Sequence, residues 1–151
     1  MNRIIRALAL TTGTAALCTL AAVPAQAATI SGGSCGAGYR LQDAYPLGTD
    51  RGADGSGVIS LYYSSSTGKN CAILRRDANF NITDGMGVTL TASNGASDTD
   101  GQRAYRDYAG PVYVAARGMC VKVSGHVTGA WKGSFAAGTF TGGSGGWVHC
   151  G

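Results

Sequence analysis

Cys35, Cys71, Cys120 and Cys150 constrain the fold of this chain more than any other residues do. An even set of cysteines in an exported chain reads as a disulfide framework, and four of them allow three pairings. Export is legible at the N-terminus. Asn2, Arg3 and Arg6 make a short positive start, an apolar run follows from Ala7 to Val23, and Pro24 precedes Ala25-Gln26-Ala27, an A-x-A cleavage pattern. Residues 1–27 are therefore expected to be a secretory signal peptide, and residues 28–151 a single exported domain. Thr11, Thr12, Gly13 and Thr14 interrupt the apolar run, which argues against a membrane anchor. Cys18 leaves with the leader, and Leu17 before it is not the small residue that lipid attachment requires.

Among the three pairings, Cys35–Cys71 with Cys120–Cys150 is favoured, because each bridge then stays within one half of the chain. Strand phase supports it. In "MCVKVSGHV", Met119, Val121, Val123 and Val127 share one face, and Cys120, Lys122, Ser124 and His126 share the other. Cys120 thus points away from the core, and the tail carrying Cys150 is available to reach it. Each bridge would contribute roughly 3–4 kcal/mol by constraining the unfolded chain. A Cys35–Cys120 link would overturn this division into halves.

Composition selects strands over helices. The chain has no Glu and few Lys, so strong helix formers are scarce, while Gly, Ser, Thr and Val are plentiful. "VISLYYSS" alternates, with Ile59, Leu61 and Tyr63 on one face and Ser60 and Tyr62 on the other. "STGKN" is turn chemistry and "CAILRRD" a returning strand, which predicts a hairpin. "GVTLTA" places Val88, Leu90 and Ala92 inward and Thr89 and Thr91 outward. "YRLQDAYPL", with Tyr39 and Leu41 in alternation, "QRAYRDY", "PVYVAA" and "MCVKVSGHV" are further strands. "YAGPV" reads as a turn, "SNGASDTDG" as a loop, and "TGGSGG" as a flexible lead into the tail. The expected fold is all-β: a small disulfide-braced β-sandwich or barrel of about six to seven short antiparallel strands.

Chemistry is harder to find. There is no G-x-S-x-G elbow around a serine, and Ser144 in "GGSGG" precedes a short tail rather than a helix. No C-x-x-C or H-E-x-x-H occurs, and His126 and His149 are the only histidines. Cys120, His126, His149 and Cys150 would form a zinc set only if the cysteines were unbridged. Asp98 and Asp100, or Asp50 and Asp54, lie in turn-like sequence without the terminal Glu of a calcium loop. The low formal charge of +4, reduced further when Arg3 and Arg6 leave, argues against nucleic acid. No catalytic residue, metal or cofactor is expected. The aromatic residues Tyr62, Tyr105, Tyr108, Tyr113, Trp131 and Trp147 offer a surface for a glycan, with Tyr62, Tyr105 and Tyr108 the named binding candidates. "NIT" at Asn81 matches a glycosylation acceptor.

Four segments in order, "CGAGYRLQDAYPL", "LYYSSSTGKNCAILRR", "YAGPVYVAARGMCVKVSG" and the closing "HCG", resemble the spore-associated protein A family, secreted proteins of sporulating filamentous actinobacteria. By that resemblance Cys35, Cys71, Cys120 and Cys150 match the family's four cysteines. Val123 and Ser124 stand where the family pattern has a Trp-Gly step. The resemblance implies an extracellular protein found with the spore or aerial-hypha surface, and it implies no reaction or substrate. The expectation is a monomeric, non-enzymatic secreted protein associated with the spore surface or a cell-wall polymer. Two alternatives are a wall-glycan-binding module and an inhibitor of a secreted protease presenting a loop at 48–57 or 93–101.

Overall fold

A computed structural model describes residues 34–48, 55–103, 105–134 and 136–151; the expected leader, Asp50 and Asp54 lie outside these residues. Within them the chain forms β1 (Arg40–Leu47), β2 (Gly57–Ser64), β3 (Lys69–Arg76), β4 (Phe80–Ala92), β5 (Ser97–Arg103), β6 (Tyr108–Ala115), β7 (Val121–Trp131) and β8 (Gly138–Gly143). All pairings are antiparallel. Two four-stranded sheets result, in the orders β1-β2-β3-β6 and β5-β4-β7-β8.

The alternation in the sequence explains the core. Leu47, Ile59, Leu61, Ala72 and Leu74 of the first sheet meet Phe80, Met86, Val88, Leu90, Val121, Val123 and Val127 of the second, and all are essentially inaccessible to water. Full burial of such a side chain contributes about 1.5–3 kcal/mol. The β2–β3 hairpin closes through a turn in which Gly68, at φ 68°, donates its N–H to Ser64 O at 2.8 Å. Glycine adopts that left-handed conformation without the Cβ penalty.

The two open seams of the sandwich are closed differently. On one side β5 faces β6 through carboxylates. Asp98 Oδ2 accepts the Tyr113 N–H at 2.8 Å, and Asp100 Oδ2 accepts the Gly110 N–H at 2.7 Å. Asp100 Oδ1 also accepts the Tyr105 hydroxyl at 2.8 Å. On the other side β8 presses on β1: a Cβ on Gly142 would stand 2.8 Å from Pro46 O and 3.2 Å from Leu47 Cα.

Four sequence expectations are corrected. Among the described residues the strands number eight rather than six to seven, because "TGGSGG" is a lead only in its second half: Thr141 to Gly143 complete β8, whose Thr139 and Thr141 stand opposite Thr128 and His126. "SNGASDTDG" is a loop only over its first part. Ser97 to Gly101 belong to β5, whose Ser97 and Thr99 hydroxyls pair with Thr91 and Thr89 at 3.0 Å. "YAGPV" lies inside β6, not in a turn, with a cis Gly110–Pro111 bond and a register shift opposite Ala72–Leu74. β6 is an edge strand, where a missing N–H is tolerated. Leu41 is exposed at 57%, because a register shift between Leu41 and Asp43 breaks the alternation of β1.

Candidate functional site

The cysteines form the two bridges favoured from the sequence, Cys35–Cys71 and Cys120–Cys150. They sit in contrasting places. Cys71 lies on the outer face of β3 yet is fully buried, because tyrosines cover it. The register sets Tyr62, Cys71 and Tyr113 in one cross-strand row, and Arg75 opposite Tyr108 in another. Tyr39 and Tyr113 meet edge to face with ring centroids 5.7 Å apart. The Tyr113 hydroxyl donates to Cys35 O at 3.1 Å, and burial, followed by Tyr39, raises its pKa above the ordinary tyrosine value. The Arg75 guanidinium lies 5.9 Å from the Tyr108 ring centroid.

Two of the three tyrosines named from the sequence, Tyr62 and Tyr108, therefore share this outer face, and Tyr105 does not. Tyr105 packs against the main core and hydrogen-bonds Asp100 across the β5–β6 seam. Strand parity on β2 places Tyr62 on this face, whereas Tyr108 opens "YAGPV", a segment that reads as a turn, so parity gives it no direction. Tyr105 precedes β6, where parity no longer applies. The rings on the tyrosine face are spent on each other and on the disulfide.

Cys120–Cys150 forms a clasp. Val121 and Val148 exchange both backbone hydrogen bonds, at 2.9 and 2.8 Å, so the tail adds one bridge beside β7. Arg117 donates to Ser65 O at 2.8 Å, and Lys122 Nζ lies 5.6 Å from the Trp147 ring centroid. The cations near Cys120 thus have other partners, and a bridged cysteine is not a nucleophile. His149 Nε2 is 3.8 Å from Asp43 Oδ2, with a small hollow of about 360 Å³ beside it lined by Gln42, Tyr63, Asn70 and Gly151. The Asp43 carboxyl is held below its usual pKa, chiefly by the Ala44 N–H. No group of three or more His, Cys, Asp or Glu suited to a metal ion occurs among the described residues.

Ser144 is likewise engaged: its hydroxyl accepts the Val123 N–H at 3.2 Å and donates to Gly146 O at 2.7 Å. The 93–101 segment, one of the two candidate inhibitor loops, is mostly β5, which leaves only a tight turn projecting. The other candidate, 48–57, falls largely outside the described residues.

A larger, open concave surface lies on the opposite side. Across the outer face of the second sheet runs an open groove of about 1030 Å³, lined by Thr89, Thr99, Lys122, Ser124, His126 and Thr141 and by several glycines. The register explains it. Thr99, Thr89, Ser124 and Gly143 form one cross-strand row, and Gly87, His126 and Thr141 the adjacent one. A Cβ on Gly87 would stand 2.8 Å from His126 Cε1, so the imidazole lies across the neighbouring strand. Trp147, exposed at 50%, stands next to Lys122 at one end of this face. Sequence reading found Lys122, Ser124 and His126 on one outward face, but not that three further strands extend it.

These features define a class: a small all-β sandwich, with one bridge under a tyrosine cluster and one clasping its C-terminal tail. The chain is similar to spore-associated protein A of Streptomyces coelicolor, 39% identical over 93 residues that cover 62% of this chain and 56% of that protein. It is thus a relative of that protein, as the four sequence segments imply, and the match spans just over half of the relative's length. No family model matches the chain, and no solved structure matches it.

Proposed function

We propose that this chain is a non-enzymatic exported protein held at the spore or cell-wall surface. The observation that carries the reading is its similarity to a protein named for spore association. Two disulfides fit an oxidising, extracellular compartment. The groups that resemble catalytic parts are engaged in holding the fold: four cysteines in bridges, Ser144 in a turn, Asp98 and Asp100 in a seam. Fractionating a sporulating culture tests the reading. The protein is expected in the washed spore and hyphal-wall fractions, cleaved after Ala27. Recovery only as free protein in the medium would refute surface association. Turnover by the purified protein on a panel of esters, peptides and glycosides would refute the non-enzymatic part.

A further inference from the structure

Charge is distributed unevenly over the groove on the second sheet. The two ionisable residues that line it, Lys122 and His126, are both basic, and no Asp lines it. His126 lines the groove and has no hydrogen bond or ion pair among the described residues. Around it stand the hydroxyls of Thr89, Thr99, Ser124 and Thr141. The Thr89 and Thr99 hydroxyls are 3.0 Å apart, which uses one donor and leaves acceptor capacity on both. The strand backbone beneath is paired within the sheet, so an occupant is read by side chains.

We propose that this groove binds a polysaccharide bearing carboxylate groups, lying across the four strands. The surface association proposed above supplies the setting, and this inference rests on that reading. Several features select this occupant. The groove is open and polar, whereas small-molecule sites are mostly apolar and bury most of their ligand. Hydroxyls and an unpartnered imidazole suit the dense donors and acceptors of sugar rings. The exposed Trp147 indole offers a flat apolar face for a ring at one end. Lys122, with no carboxylate opposing it in the groove, complements an acidic polymer. No arginine lines the groove, and planar bidentate capture of phosphate favours arginine. Nucleic acid would need a denser basic stripe than one lysine and one histidine provide.

Affinity electrophoresis of the oxidised protein through gels containing soluble polygalacturonate, dextran or polyphosphate tests the proposal. Polygalacturonate is expected to retard the protein, less so as salt rises. Dextran, which lacks charge, is expected to retard it weakly. Lys122→Ala, which removes a charge-assisted contact, and His126→Ala, which removes a ring hydrogen-bonding group, should each weaken the polygalacturonate interaction by about three- to tenfold. Thr141→Lys places a cation in the His126 row and should strengthen it. Tyr62→Ala, on the opposite face, should leave it unchanged. No retardation by polygalacturonate, equal loss with Tyr62→Ala, or stronger retardation by polyphosphate would overturn the assignment. The two readings fail separately. Lys122→Ala/His126→Ala protein still recovered fully on spores would refute the groove and leave surface association standing. Wild-type protein that binds polygalacturonate but is found only in medium would do the reverse.

Discussion

Asp100 is the residue whose replacement tests the architecture most sharply. Its carboxylate joins two sheets at a seam where no strand pairing does, accepting the Gly110 N–H at 2.7 Å and the Tyr105 hydroxyl at 2.8 Å. A hydrogen bond to a charged group contributes about 1.5–3 kcal/mol. Asp100 is only half-buried, so the lower end applies to each bond, and Asp100→Ala is expected to cost about 3 kcal/mol. For a domain of this size that lowers Tm by on the order of 10 °C. Asp100→Asn can accept the Gly110 N–H through its oxygen and donate its amide N–H to the Tyr105 hydroxyl oxygen, so it loses the charge but should recover part of the cost. Urea unfolding of the oxidised protein measures the cost, with Asp84→Ala on the exposed part of β4 as control. The m-value should stay constant. In a double-mutant cycle, Tyr105→Phe should cost less in the Asp100→Ala background than in the wild type. Because the carboxylates at 98 and 100 have protein partners, calcium and chelator should give the same unfolding midpoint. A loss below about 0.5 kcal/mol, the level of an ordinary surface substitution, would refute the seam argument.

Three further outcomes follow from the same geometry. Graded reduction followed by peptide mapping should open Cys120–Cys150 first, because Cys150 is exposed while Cys35 and Cys71 are 6% and 0% accessible; opening in the opposite order would contradict the tyrosine cover. Gly142→Val should destabilise strongly, by about 3 kcal/mol or more, since its Cβ would meet Pro46 O at 2.8 Å; a near-neutral result in urea unfolding would show that the β1–β8 seam is loose. Tyr45 is pushed up to about 12 by burial first and by Asp43 second. The folded state then holds its proton more tightly than the unfolded chain does. Stability from this group is present below the ordinary tyrosine value of 10 and falls as pH rises from there to about 12. Tyr45→Phe should flatten that alkaline fall, as read from unfolding midpoints.

The parts of the fold legible in sequence are those where a side chain's size reports its direction. Ile59, Leu61, Val88, Leu90, Val121 and Val123 alternate with polar neighbours, and each is buried as that alternation requires. β5 escaped because its inward and outward residues are all small or polar: Asp98 and Asp100 face a seam and Ser97 and Thr99 a hydroxyl ladder, so no apolar period marks the strand. β8 escaped because Gly142 must be glycine for β1 to approach it, and glycine reads as a loop. The tyrosine face was half legible for a related reason. Parity on β2 places Tyr62, but "YAGPV" reads as a turn and gives Tyr108 no direction, and the sequence does not say that the same face carries a disulfide for the tyrosines to cover. The groove was the least visible. It depends on side chains absent at Gly87 and on rows assembled from four strands, information that exists only once the register is fixed.

The central functional claim is that the outer face of the second sheet, not the tyrosine face, meets the surface polymer. Amide chemical-shift mapping during titration with soluble fragments of purified cell wall addresses it directly. Shifts are expected to concentrate at Gly87, Thr89, Thr99, Ser124, His126 and Thr141. Shifts centred on Tyr39, Tyr62, Tyr108 and Tyr113, or no shifts at saturating fragment, would contradict it.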